Sequence, residues 1–158
     1  MQYVVEAVSP FSDEIILVGN STDFSDFKLR ILSDTIDYSG PISGIHAILC
    51  DIQNCDKFII AGDMPFLDKK ELDNYLKSAS GKSKILIAKT DELFGHHLHV
   101  YIKKDWNSKL LEILNQNSEL KSVHKLWEKF GQEFLEISED GKSHYRNVNE
   151  KSDLKDND

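Results

Sequence analysis

The clearest indication of the fold is KFIIAGDMPFL, residues 57–67. Its apolar run, 58–61, has the length of a buried strand and is too short for most helices. Gly62 then permits a close backbone approach, Asp63 supplies a carboxylate, and Pro65 prevents the strand from continuing. Open α/β sheets bind ligands at the carboxyl ends of their strands. Asp63 is therefore a candidate for binding Mg²⁺, for accepting a hydrogen bond or for capping the next turn.

Strand and helix patterns alternate on both sides of this stretch. Apolar or alternating runs predict further strands over 15–18, 28–32, 85–88, 96–102 and 134–137. Apolar residues at helical spacing predict helices over 2–8, 43–52, 69–77, 106–114 and 120–130. This alternation predicts an α/β fold with a mainly parallel sheet and helices on both faces. We expect one domain over 1–150, a turn at Asp140-Gly141, an extended piece over 145–149, and a frayed polar tail over 151–158.

The composition excludes several classes of protein. The chain has 158 residues, with 19 Lys and Arg against 27 Asp and Glu, a formal net charge of −8. This charge argues against non-specific binding to nucleic acid or to anionic membranes. No apolar run approaches the roughly 18 residues of a membrane span, and Met1 is not followed by a secretory signal. Cys50 and Cys55 lack zinc-type partners, so we expect reduced thiols in a cytoplasmic protein.

Two further stretches are candidates for ligand binding. The loop DTIDYSGPISG, 34–44, precedes a helix, whose free N–H groups would suit an anion or a purine edge. The same composition also fits an ordinary strand-to-helix connection. Asn147 and Asn149 would share one face of an extended segment and could read the edge of a ligand, although Asn pairs near loops more often cap turns.

The histidines at 96, 97 and 99 allow two interpretations. In a strand, His97 and His99 share a face and could both bind a metal. No third ligand is identifiable nearby in the sequence. Imidazoles at the surface or lining a pocket are therefore the favoured interpretation.

Taken in chain order, these segments resemble the molybdenum cofactor guanylyltransferases of the nucleotidyltransferase superfamily. The matching segments are Asp34 followed by SGPISGI at 39–45, AGDMPFL at 61–67, and NVN at 147–149 with Asp153-Leu154 behind it. The resemblance spans nearly all of residues 2 to about 155, and its most specific part is the GDMPFL match. It implies a Rossmann-like sheet.

The resemblance also implies a reaction, in which GTP and the molybdenum–molybdopterin cofactor give the guanine dinucleotide form and pyrophosphate. It assigns Asp34, Gly40, Pro41, Gly44 and Asp63 to the nucleotide, Asp63 also to catalysis and Mg²⁺, and Asn147 and Asn149 to the pterin side. GTP and the molybdopterin cofactor are the implied partners, with molybdoenzymes or their chaperones as further candidates.

The chain departs from the family pattern at its beginning. The family starts with a strand and a Gly-rich loop that holds the triphosphate, whereas residues 2–9 already have the pattern of the helix that follows this loop. Without that first strand, the strands at 15–18 and 58–61 would have an unfilled slot between them, at a cost of about 1–3 kcal/mol per unsatisfied backbone group. Three hypotheses follow: an enzyme that carries the loop upstream, a non-catalytic relative, or a relative that uses another nucleotide such as CTP.

Overall fold

The structure is a computed structural model that describes residues 1–19, 24, 26–33, 40–90, 95–117, 120 and 122–146. The helices are α1 (Gln2–Val8), α2 (Pro41–Asp51), α3 (Lys69–Ser80), α4 (Asn107–Gln116), α5 (Val123–Phe130) and α6 (Glu139–Lys142). The strands are β1 (Ile16–Val18), β2 (Arg30–Leu32), β3 (Lys57–Ile60), β4 (Ile85–Lys89), β5 (His99–Ile102) and β6 (Gln132–Glu136). None of the described helices combines the length and apolar character needed to cross a membrane.

The strands form three pairs. β1 pairs with β2 in parallel, with Leu17 opposite Ile31. β4 pairs with β6 in parallel, with Ile87 opposite Phe134. β3 pairs with β5 in the antiparallel sense, so that Ile59 lies opposite Val100. Two of the three described pairs are therefore parallel, in agreement with the predicted mainly parallel sheet.

β4 lies at the centre of the packing because both of its faces are buried. Ile85 and Ile87 belong to a buried cluster that contains residues of α2, α4 and α5, among them Trp127. Leu86 and Ala88 point the other way, as alternate residues of a strand do, into a second buried cluster that includes Tyr75 of α3. The predicted arrangement of helices on both faces of the sheet is thus present around this strand.

Three local predictions differ from the structure. α2 begins at Pro41, earlier than the predicted start at Ser43 or Gly44, because Gly40 takes a backbone angle φ of 66° and proline suits the first helical position. Residues 139–142 form one helical turn instead of a simple turn, since the N–H groups of Gly141 and Lys142 both donate to the Ser138 carbonyl. The segment Ser143–Tyr145 is a 3₁₀ turn, whereas the sequence predicted that Tyr145 begins an extended piece.

Candidate functional site

A cavity of about 1130 Å³ lies between β1 and β3. Its walls include both strands, Val4 and Val8 of α1, and Ile45 and Ile48 of α2. β1 is hydrogen-bonded to β2 and β3 to β5, and no ladder joins β1 to β3 among the described strands. The slot that the sequence predicted between these two strands is therefore present, with apolar side chains on its walls.

The predicted loop residues line this cavity together. Gly40, Pro41 and Gly44, at the amino-terminal end of α2, contribute to its wall, and so does Gly62 at the end of β3. The Gly40 backbone, with φ 66° and ψ −153°, lies in a region that essentially only glycine occupies. Among the described residues, no atom lies within 4 Å of the position that a Cβ atom at Gly40 would take.

Asp63 follows directly after the cavity-lining Gly62. Its carboxylate atom Oδ1 is buried and has no hydrogen-bond partner among the residues that the structure describes. The cap of α3 is supplied instead by Asp68, whose carboxylate accepts from the N–H groups of Lys70, at 2.8 Å, and Glu71, at 3.2 Å. The capping role that the sequence allowed for Asp63 is therefore filled by another residue. A buried polar atom left without a partner costs about 1–3 kcal/mol, so this oxygen is available to a water molecule, another donor or a cation.

The carboxylate of Asp63 fits a magnesium ion in its chemistry. Mg²⁺ prefers oxygen ligands and is commonly held by one or two carboxylates together with substrate phosphates. Within the described segments, no cluster of three or more His, Cys, Asp or Glu side chains could form a complete metal site. A single carboxylate beside a cavity is consistent with a metal that shares its ligands with a phosphate-containing substrate.

The histidines occupy different surroundings from those that were predicted. β5 begins at His99, so His97 lies in the preceding turn and the two rings do not share a strand face. His99 is fully buried, and its ring lies 4.3 Å from that of Tyr75 and 5.0 Å from those of Phe58 and Tyr145. It is a core residue, which corrects the prediction of a surface or pocket-lining imidazole. Burial lowers the pKa of His99 to about 3, with a smaller contribution from the charge of His96.

Several predicted site residues lie outside the described residues. Asp34, on the nucleotide side, and Asn147 and Asn149, on the pterin side, are among them. The structure also brings to the Asp63 loop a residue that the sequence did not single out. His144 Nδ1 lies 3.0 Å from the carbonyl oxygen of Phe66. A lone histidine in a polar stretch carries no pattern, so only the three-dimensional structure could identify it.

Comparisons with known proteins give a consistent result. Residues 1–132 match the family described as MobA-like NTP transferase domain. A protein of Clostridium perfringens (strain SM101 / Type A), named "Probable molybdenum cofactor guanylyltransferase", is 32% identical over 149 residues, which are 93% of this chain and 74% of that protein.

Two solved structures share the fold. A crystal structure of an Aquifex aeolicus VF5 protein superposes with a TM-score of 0.78 at 24% identity, covering 94% of this chain and 77% of that one. The molybdopterin-guanine dinucleotide biosynthesis protein A of Archaeoglobus fulgidus gives 0.73 at 22% identity, covering 98% of this chain and 80% of that one. At these identities the likeness concerns the fold, and it confirms the predicted Rossmann-like α/β class.

Proposed function

The chain belongs to the family of the MobA-like NTP transferase domain, and from this premise we propose that it transfers GMP from GTP to the molybdenum–molybdopterin cofactor, releasing pyrophosphate. Membership confirms the family resemblance indicated by the sequence motifs, and it makes the chain a nucleotidyltransferase. The name of the Clostridium perfringens relative supports guanylyl transfer as the reaction and the molybdenum cofactor as the acceptor.

The observation that carries the proposal is the state of Asp63. Asp63 follows the carboxyl end of β3, and its buried Oδ1 has no partner among the described residues, while its chain neighbour Gly62 lines the cavity. We assign Asp63 the role of holding Mg²⁺ and, with it, the phosphates of GTP. When bound, the metal would supply positive charge to neutralise the triphosphate and orient it for displacement.

The remaining chemistry is positioning. A phosphate oxygen of the pterin attacks the α-phosphorus of GTP in line, and pyrophosphate leaves, so the chain needs no side-chain nucleophile. Gly40, Pro41 and Gly44 form the wall of the cavity against which we place the guanine base and ribose. The start of α2 would contribute the positive end of its helix dipole there, since Pro41 has no N–H and the Ser43 N–H donates to the Gly40 carbonyl oxygen at 3.0 Å. Asp34 is proposed to contact GTP, and Asn147 and Asn149 to contact the pterin.

A titration of GTP into the protein, with and without Mg²⁺, tests the proposal. We expect binding that requires Mg²⁺, and we expect Asp63→Ala to abolish it because the metal loses its carboxylate. Asp73→Ala is the matched control. It also removes one carboxylate, but that of Asp73 is partly exposed on α3, where it pairs with Lys77. This control should bind GTP as the unchanged protein does.

The same titration separates the alternatives. Tighter binding of CTP than of GTP would mean that the chain uses another nucleotide. Binding of neither nucleotide by a folded protein would favour a non-catalytic relative. Unchanged GTP affinity in Asp63→Ala would show that the role assigned to Asp63 is wrong.

A further inference from the structure

The loop that carries Asp63 is tied to a segment far away in the sequence. His144 Nδ1 lies 3.0 Å from the Phe66 carbonyl oxygen, across 78 residues of chain. A carbonyl oxygen can only accept, so Nδ1 must carry the hydrogen and donate it. The bond joins the loop between β3 and α3 to the 3₁₀ turn Ser143–Tyr145.

A second contact joins the same two segments. Met64 of the loop and Tyr145 of the turn are both 1% exposed and belong to one buried cluster. The Tyr145 ring also lies 5.2 Å from the His96 ring and 5.0 Å from the His99 ring. Tyr145 therefore anchors the turn in the core, and its neighbour His144 is held where it can reach the loop.

His144 also contributes to the start of α3, directly after the loop. Burial raises the pKa of Asp68, but hydrogen bonds from the backbone of Glu71 and Lys70 and the charge of His144 outweigh it, so this pKa is lowered. The charged form of the cap is thus favoured. The segment between Asp63 and α3 is thus held at two points, by the Phe66 bond in its middle and by the Asp68 cap at its carboxyl end.

We propose that His144 is a positioning residue, which holds the Asp63 loop in the geometry that binds the metal–nucleotide complex. This inference rests on the proposed function of Asp63. The position of the Asp63 loop matters for in-line phosphoryl transfer, because misplacement of the reacting groups by about 1 Å costs about 100-fold in rate.

Two variants and a control test the inference. His144→Ala removes the donor, whereas His144→Asn offers a side-chain N–H near the position of Nδ1. Ser143→Ala alters an exposed side chain of the same turn and is the matched control. We expect His144→Ala to weaken Mg²⁺-dependent GTP binding by about 5-fold or more, the value of one net hydrogen bond. His144→Asn should restore most of the affinity, and Ser143→Ala should leave it unchanged.

Amide hydrogen exchange of residues 62–67 in the ligand-free protein provides a second readout, which does not depend on nucleotide. The loop should exchange faster in His144→Ala and return towards its original rate in His144→Asn. Equal affinity and equal exchange in His144→Ala and the unchanged protein would overturn the inference. If the unchanged protein is folded but binds no nucleotide, the proposed function fails, and the exchange rates then decide whether His144 holds the loop.

Discussion

β4 and β1 are both strands of the same α/β fold, yet they are stabilised very differently. β4 is paired over five residues with β6, and residues 85–88 are buried on both faces. β1 is paired over three residues with β2, and Leu17 is its only buried residue. One side of β4 packs against α2, α4 and α5, whereas β1 borders the cavity.

The difference shows where the chain can accommodate a ligand. Around β4 the apolar surface is already buried by protein, so little space is left for a substrate. Around β1 and β3 the walls are apolar but face a cavity, and the candidate residues Gly40, Pro41 and Gly44 lie on that side. Regions with few buried contacts open at lower free energy than the core, and binding sites are often drawn from them.

Truncation of one buried side chain in each strand is the strongest test of this comparison. Ile87→Ala should lower the free energy of unfolding by about 4 kcal/mol, because Ile87 is 0% exposed and its removal leaves an enclosed void. Leu17→Ala should cost about 2 kcal/mol or less, because Leu17 already borders the cavity. Urea unfolding followed by circular dichroism measures both values.

The outcome can also contradict the comparison. If Leu17→Ala costs as much as Ile87→Ala, then β1 is packed as tightly as β4 in solution. The cavity would in that case be closed when the protein is free. If only Leu17→Ala changes the slope of the unfolding free energy against urea concentration, the mutation has altered the compactness of the folded or the unfolded state.

The same contrast explains what the sequence could predict. Continuous apolar runs predicted β3 and β4, since buried strands carry apolar side chains on both faces. The burial of His99 could not be predicted, because alternation within one strand placed it beside His97, and only the turn before β5 separates them. The antiparallel pairing of β5 with β3 joins distant residues, and no local pattern reports it.

The sequence could predict those residues of the candidate site that are neighbours in the chain. The Gly-Asp pair after β3 and the Gly-Pro pair before α2 follow from turn chemistry and strand ends. The contact of His144 with Phe66 spans 78 residues and has no such signal. Likewise, the sequence offered Asp63 as a possible cap, whereas in the structure α3 is capped by Asp68, which the sequence had not singled out.

The buried His99 should make the stability of the packed region depend on pH. Neither ring nitrogen of His99 has a hydrogen-bond partner among the described residues, and burial lowers the pKa of this imidazole to about 3. In the unfolded chain the pKa returns to about 6.5. Between pH 3 and about pH 6.5 the imidazole is protonated in the unfolded chain but neutral in the folded protein. The contribution of His99 to the free energy of unfolding is therefore fully present above about pH 6.5 and is lost as the pH falls towards 3. This single group should lower stability by about 3 kcal/mol between pH 7 and pH 4.

His99→Leu isolates this effect, since it keeps a side chain packed among the surrounding aromatic rings and removes the titrating group. The difference in unfolding free energy between pH 7 and pH 4 should be smaller in the variant by about 3 kcal/mol. Carboxylates and imidazoles that do not interact with His99 contribute equally to both proteins and cancel in the comparison. His96, whose charge also lowers the pKa of His99, leaves a smaller contribution that does not cancel. An identical pH dependence of the two proteins would show that the His99 ring is hydrated or paired in solution.

The smallest expected effects come from two glycines that differ only in their backbone. In the part of the chain that the structure describes, a Cβ atom at either Gly40 or Gly81 would meet nothing within 4 Å. Gly40, beside the cavity, has φ 66° and ψ −153°, so Gly40→Ala should destabilise the protein by about 1–3 kcal/mol. Gly81, at the end of α3, has φ −81° and ψ −9°, which alanine adopts freely. Gly81→Ala should therefore stabilise the protein by about 0.4–1 kcal/mol, through the lower entropy of the unfolded chain.

Thermal unfolding measures both changes in stability, which we expect to have opposite signs. Because neither substitution meets a neighbouring atom, a destabilised Gly40→Ala reports backbone strain at the start of α2 and not a steric clash. A stability for Gly40→Ala equal to that of Gly81→Ala would mean that the start of α2 relaxes to an ordinary conformation at no cost. The cavity wall formed by Gly40, Pro41 and Gly44 would then be adaptable, and the rigid frame for a nucleotide would have to come from β3 and the Asp63 loop alone.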